Sequence, residues 1–196
     1  MTKKRIIAAV LLVYMVLSAF FFVSCGGDDQ LAAFSKAISA TKPSKVEGNV
    51  TMYTEFGPLT VEYDADIAED GSFVLNYVYE VFNNVETGGE NDVIGKHEGT
   101  VTYKDGAYSD TSLAAKIPAE AVAAKVKLSD KMTYTVSEDG NVLAATIKAA
   151  NTKSVLGVEY AADVNMVLTK ANNSIVSLTL TYTLAEGKVE VVCSYK

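Results

Sequence analysis

The chain has no tryptophan, one histidine, two cysteines and three prolines in 196 residues, and its only arginine is Arg5. A chain this acidic, with a formal net charge of −7, cannot offer the clustered Lys/Arg that phosphate contacts need, so nucleic acid is excluded as a partner. The lone His97 argues against a zinc site, which draws on several His or Cys ligands, and against a Ser-His-Asp set, which needs a positioned base. His97 lies between Lys96 and Glu98 and reads as a solvated surface residue. Two acidic groupings remain. Glu86, Glu90 and Asp92 share a stretch with Gly88 and Gly89, but their spacing does not match a calcium loop. Glu62, Asp64 and Asp66 alternate along one strand, and an exposed strand face accounts for them without glycosidase chemistry. We expect no catalytic residues, no metal and no enzyme.

Charge is also absent, for 18 residues, from Ile6 to Val23, directly after Lys3-Lys4-Arg5. A basic start, an apolar stretch and a small residue before the cut form an export signal, with the positive end held on the cytoplasmic side. An uncleaved anchor is the alternative, since about 17–25 apolar residues span a bilayer. The stretch ends Phe22-Val23-Ser24-Cys25-Gly26-Gly27, which resembles the bacterial lipobox. The resemblance implies cleavage between Ser24 and Cys25 and a diacylglyceryl, palmitate-type lipid on the Cys25 thiol. No other cofactor is expected. Two or more acyl chains tether a domain stably where one does not, at about 0.8 kcal/mol per buried methylene. The protein would then sit in the cell envelope, outside the cytoplasm, lipid-anchored to a membrane. Removing residues 1–24 leaves 172 residues, enough for one domain. It also removes three cationic groups, taking the net charge from −7 to −10. With Cys25 lipidated, Cys193 has no disulfide partner, and its alternation with Val189, Val191 and Tyr195 predicts a buried, inert thiol.

Residues 25–29 read as the lipidated cysteine and a short acidic spacer, and 30–196 as a single β-rich domain. Asp28 or Asp29 can cap a helix over Gln30–Ala40, which Thr41-Lys42-Pro43 ends. The period then becomes two. Val46, Val50, Met52 and Phe56 share a face in 45–56, and Leu59, Val61, Tyr63, Ala65 and Ile67 do so in 59–68. Ser72–Phe82 is apolar on both faces, as in a central strand. Asn83–His97 reads as a polar loop or hairpin tip, with strands resuming at 98–103 and 107–110. Pro118, suited to a first helical turn, opens an alanine-rich helix to Lys127. Strands follow at about 131–137, 141–149, 158–169, 174–184 and 188–195, while 152–156 is ambiguous. Val176, Leu178, Leu180, Tyr182 and Leu184 read as one face.

The expected fold is therefore mostly β (α+β): a strongly curved antiparallel sheet, or half-barrel, covered by one or two short helices. This element order, with its helix-to-strand opening Ala37-Ile38 … Val46-Glu47-Gly48-Asn49-Val50-Thr51, resembles the lipoprotein-carrier superfamily. That group includes the periplasmic lipoprotein carrier, its outer-membrane receptor and glycolipid-carrying mycobacterial lipoproteins. The resemblance implies an apolar pocket between sheet and helices that holds an acyl chain or other lipid. Met52, Phe56, Phe73, Tyr77, Tyr134, Met166 and Leu180 are the candidate lining residues. The alternative is a solid core and an envelope module that contacts a protein or glycan through its outer face, where strand tyrosines could stack. A monomer is expected in either case.

Overall fold

The computed structural model describes residues 28–55, 57–82, 93–110 and 116–196. Residues 1–24, expected to be an export signal, Cys25, Phe56, and the acidic residues Glu86, Glu90 and Asp92 lie outside the described residues. Helix α1 (Asp28–Ala40) already contains the two aspartates expected to cap it, and carboxylates in a first turn favour the helix dipole. Its buried face carries Phe34, Ala37 and Ile38. At its end the Thr41 hydroxyl donates to the Ala37 carbonyl at 2.7 Å and accepts the Ile175 amide at 2.7 Å, which docks the helix on the sheet.

Ten strands follow: β1 (Lys45–Thr54), β2 (Gly57–Ile67), β3 (Phe73–Phe82), β4 (Val93–Lys104), β5 (Ala107–Tyr108), β6 (Thr133–Val136), β7 (Val142–Ile147), β8 (Val164–Ala171), β9 (Ser174–Leu184) and β10 (Gly187–Tyr195). They form one antiparallel sheet in the order β5-β4-β3-β2-β1-β10-β9-β8-β7-β6. Two meanders are thus joined by pairing the first strand with the last, Val46 opposite Tyr195 through Tyr53 opposite Lys188. Between the meanders, in sequence, runs a cover segment containing the one-turn helix α2 (Ala119–Val122). A further short helix, α3 (Thr152–Leu156), joins β7 to β8.

The sheet is open but curled. Strands lie about 4.8 Å apart, so β3 and β6, seven steps apart in the order, would be separated by roughly 34 Å if flat. Yet Phe73 and Leu75 of β3 belong to the same buried cluster as Val136 of β6 and Leu143 of β7. The hydroxyls of Tyr108 on β5 and Tyr182 on β9, six steps apart, also reach the adjacent carbonyls of Ile117 and Lys116, which only a strongly curved sheet allows, and the expected half-barrel is what the chain forms. Register then organises the concave face into rows. One runs Val136, Leu143, Leu168, Leu178, Cys193, Gly48, Tyr63, Tyr77 and Gly99 across successive strands. Gly48 allows this row to close up: a methyl group there would stand 2.0 Å from the Val192 carbonyl oxygen and 2.6 Å from the Tyr63 ring.

Several sequence expectations need correction. β4 starts at Val93, so part of the stretch read as loop is strand; its polar outer residues Lys96 and Glu98 pair with Glu80 and Val78 of β3. Residues 158–163 are not strand. Tyr160 is buried there because its amide is held by the Thr152 hydroxyl at 3.0 Å, and Asp163 accepts the Ala149 amide and Lys148 ammonium. The ambiguous segment 152–156 is helical and closes on Gly157 in the left-handed region, φ 72. On β9 a bulge breaks the alternation: Lys170 faces Ile175 while Thr169 faces Ser177. Val176 is the extra residue, so it turns outward and Ile175 takes the core place. β3 is interior to the sheet, but the sheet's outer face there is open to solvent, leaving Val74 41% exposed. The helix expected over 118–127 is cut to one turn, since Ala124 adopts a left-handed φ of 52 and the Lys125 amide folds back to the Glu120 carbonyl at 2.7 Å.

Gly48→Ala should lower stability by about 3 kcal/mol, as overpacking against backbone does. For a domain of this size that is a fall of roughly 6–12 °C in Tm, measurable by thermal circular dichroism. An unchanged Tm would contradict the close approach at Gly48.

Candidate functional site

Every described candidate lining residue lies on the concave side. Phe73, Met166 and Leu180 are buried in the core, and Met52, Tyr77 and Tyr134 pack against it half-buried. Register brings three of this set into line across four strands: Tyr134 faces Ala145, Ala145 faces Met166, and Met166 faces Leu180. Phe73 sits at the other flank, stacked on Tyr103 at 5.0 Å and edge-on to Tyr108 at 5.7 Å. Tyr77 lies over Gly99. Met52 belongs to an apolar slit with Leu184 and Val189, rimmed by Lys116, Glu186 and Lys188. That slit offers about 20 Å³, room for about one water molecule. The interior around Met166 and Leu180 is filled, with both side chains at zero exposure.

The cover over this face is held in an unusual way. It contributes Ile117, Ala121, Val122 and Val126 to the core, but little of it is regular helix. Its carbonyls are taken by three tyrosines of the sheet. Tyr108 of β5 donates to the Ile117 carbonyl at 2.7 Å. Tyr182 of β9 donates to the Lys116 carbonyl and Tyr195 of β10 to the Ala121 carbonyl. The Ala121 carbonyl accepts both the Tyr195 hydroxyl and the Ala124 amide, the latter at 3.3 Å where the helix ends. The side-chain inventory explains why tyrosine serves: a rigid apolar ring crosses the core and ends in a donor.

Polar groups continue inward from these clasps. The Tyr63 hydroxyl donates to the Val192 carbonyl at 2.9 Å and lies 3.1 Å from the Cys193 sulfur. The Tyr160 ring packs on Tyr182 at 4.4 Å, with its hydroxyl buried beside that of Tyr182. Burial pushes the Tyr160 hydroxyl up to about 12 and the Cys193 thiol up to about 11. It drives Tyr63, Tyr108, Tyr182 and Tyr195 upward as well. Cys193 is free and fully buried, so its thiol is held neutral and away from reagents.

Sequence reasoning placed most tyrosines in strands but singled out none of the three clasps. The available signal was weak: Tyr182 and Tyr195 occupy inward positions of their strands, where a hydroxyl needs a partner. The other groupings are unconcentrated. Glu62 and Asp66 are exposed on the outer face of β2, and Asp64 there meets Lys45 at 3.8 Å. His97 is exposed and stacks on Tyr79 at 4.9 Å. Tyr53 is the most exposed strand tyrosine among those with large apolar exposure, with the Lys188 ammonium 5.1 Å over its ring. Among the described residues no three His, Cys, Asp or Glu side chains converge on a metal position, and no helix is long and apolar enough to cross a membrane. A separate polar cleft of about 320 Å³ opens between the 68–72 turn, the β4–β5 turn and α2, lined by Asp70, Tyr103, Lys104, Glu120 and Lys125 among others.

No protein-family model and no curated protein matches the chain. Among solved structures it is similar to LprF from Mycobacterium bovis, with 13% identity, a TM-score of 0.45, and coverage of 87% of this chain and 94% of that one. A weaker likeness, with 9% identity and a TM-score of 0.21, is to the dehydratase domain from the CurF module of curacin polyketide synthase, covering 84% of this chain and 78% of that one. Neither likeness assigns a role to any residue.

The interior hydroxyls and thiol make stability pH-dependent in one direction. A group whose folded pKa is raised favours the folded state below its unfolded pKa, and that contribution is lost as pH rises toward the folded value. For Cys193 the window opens at about 9 and closes near 11, and for Tyr160 it runs from about 10 to about 12. Urea midpoints should therefore fall steeply above pH 9 and stay level from pH 7 to 8.5. Tyr182→Phe, which strands the Lys116 carbonyl, should cost about 1–3 kcal/mol. A flat alkaline limb, or a neutral Tyr182→Phe, would show that these groups are not enclosed.

Proposed function

We propose that the protein is a lipid-anchored lipoprotein of the cell envelope whose half-barrel takes an apolar ligand, such as an acyl chain, beneath the cover over residues 116–128. Residues 1–24 serve as the export signal, Cys25 carries the lipid anchor, and 30–196 form the binding domain. The observation that supports this reading is the clasp: the concave face is closed by a segment with one turn of helix, tied to the sheet by three tyrosine hydroxyls.

Because the interior has little free space, a ligand must displace the cover. Burial of Ile117, Val122 and Val126 is worth about 2 kcal/mol each, and the three hydroxyl bonds about 1 kcal/mol each. Lifting the cover therefore costs roughly 9 kcal/mol. A chain of about twelve methylenes, at about 0.8 kcal/mol apiece, offsets that. Shorter or polar ligands do not. A second reading is favoured by the same filled interior: a solid-core envelope module that contacts a protein or glycan through its outer face.

Native mass spectrometry of residues 28–196 separates the two. Carriage predicts a discrete added mass, released as lipid on denaturation, or gained after incubation with membrane extract. A bare polypeptide mass under both conditions removes carriage and leaves the interaction module. The anchor is tested separately: Cys25→Ser in the full chain should move the protein from the membrane pellet to the soluble fraction after osmotic lysis, and retention in the pellet would point to an uncleaved anchor.

A further inference from the structure

Strand β5 covers only the end of β4, pairing Tyr103 with Tyr108 and Lys104 with Ala107. One further step is made by Thr102, whose amide donates to the Ser109 hydroxyl and whose carbonyl accepts the Ser109 amide. Upstream of Thr102, β4 has β3 on one side and, among the described residues, no strand on the other. Lys96, His97, Glu98 and Thr100 are exposed there. Such an edge is a template for another strand.

The direction of its free groups can be read from Thr102. In an antiparallel strand, alternate residues send both backbone groups to the same side. Thr102 points toward the β5 side, so Thr100, Glu98 and Lys96 also point out of the sheet, while Gly99 and His97 bond toward β3. An added antiparallel strand must pair outward residues with outward residues. For a second copy of β4, three two-fold registers near the centre of the free stretch satisfy this. Setting Lys96 opposite Lys96, or Glu98 opposite Glu98, confronts like charges, which destabilises directly opposed pairs. Setting Lys96 opposite the partner's Glu98 matches opposite charges twice. In that register His97 meets its own counterpart on the concave side, and Gly95 meets Gly99, so no bulk other than the two imidazoles stands at the seam.

We propose that the Gly95–Gly99 stretch of β4 is a homodimer interface, pairing antiparallel with the same strand of a second copy about a two-fold axis at His97. The two sheets become one continuous sheet, and the edge charges that block other registers select this one. This replaces the monomer expected from the sequence, and it is independent of what the half-barrel holds.

The test uses the full chain in its native membrane. Opposed residues of a non-hydrogen-bonded pair have Cα atoms about 4.5 Å apart, within disulfide reach. His97→Cys should therefore cross-link into a covalent dimer under mild oxidation, whereas Val176→Cys, at an exposed position on β9, should remain monomeric. Adding Glu98→Lys should cut the dimer yield roughly tenfold by turning both charge pairs repulsive, and the further change Lys96→Glu should restore it. Cross-linking of His97→Cys no greater than that of Val176→Cys overturns the proposal, as does indifference to Glu98→Lys. If His97→Cys disturbs the Tyr79 stack, sedimentation of the unsubstituted chain in detergent decides. Twice the monomer mass, lost with Glu98→Lys, supports the interface; the monomer mass overturns it.

Discussion

The fold depends on a convergence of tyrosine hydroxyls from distant strands. Tyr108 and Tyr182 stand on strands six steps apart in the sheet, roughly 29 Å if the sheet were flat. Their hydroxyls nevertheless reach the carbonyls of adjacent residues, Ile117 and Lys116. That is possible only because the sheet curls until its two flanks face one another. The same curl gives Phe73 and Val136 a common core.

The clasps also set what the interior can do. A regular helix satisfies its own backbone, so it can be buried or removed with little polar consequence. The cover here does not: its carbonyls at 116, 117 and 121 rely on the sheet. Any ligand taking its place must offset apolar burial and lost hydrogen bonds together, which favours long hydrocarbon chains over small molecules. A filled core is compatible with the proposed binding protein if its cover lifts to admit a ligand, and the solid-core reading differs only in that the cover never lifts.

The polar band behind the cover is neutral. Among the described residues the buried polar side chains other than tyrosine and cysteine are Thr152 and Thr179, and burial holds the hydroxyls and the Cys193 thiol protonated. Charge is kept to the outer face and the rim, where ion pairs such as Lys148 with Asp163 are exposed and contribute little. Among the described residues no charged side chain is buried, which suits apolar contents.

Local pattern told much of this. Period-two alternation in residues 45–67 and 188–195 identified the inward faces correctly, because one face of each strand is buried and a slip by one residue would expose it. The six described lining candidates all fell on the concave side for that reason. Pattern failed where tertiary contacts override it. Tyr160 alternates with Val158 and Ala162 as a strand residue would, but the Thr152 hydroxyl holds its backbone in a loop. The alanines after Pro118 favour helix, but Ala124 turns left-handed and the Lys125 amide folds back to the Glu120 carbonyl. Lys96 and His97 look like loop residues and are strand, since polarity reports exposure rather than pairing. Composition and periodicity were thus sufficient for an acidic, mostly β chain with a one-sided sheet, because each of those properties is local. The joining of β1 to β10, the rows across the sheet and the tyrosine clasps were decided only by the folded chain, because they depend on which residues far apart in sequence become neighbours.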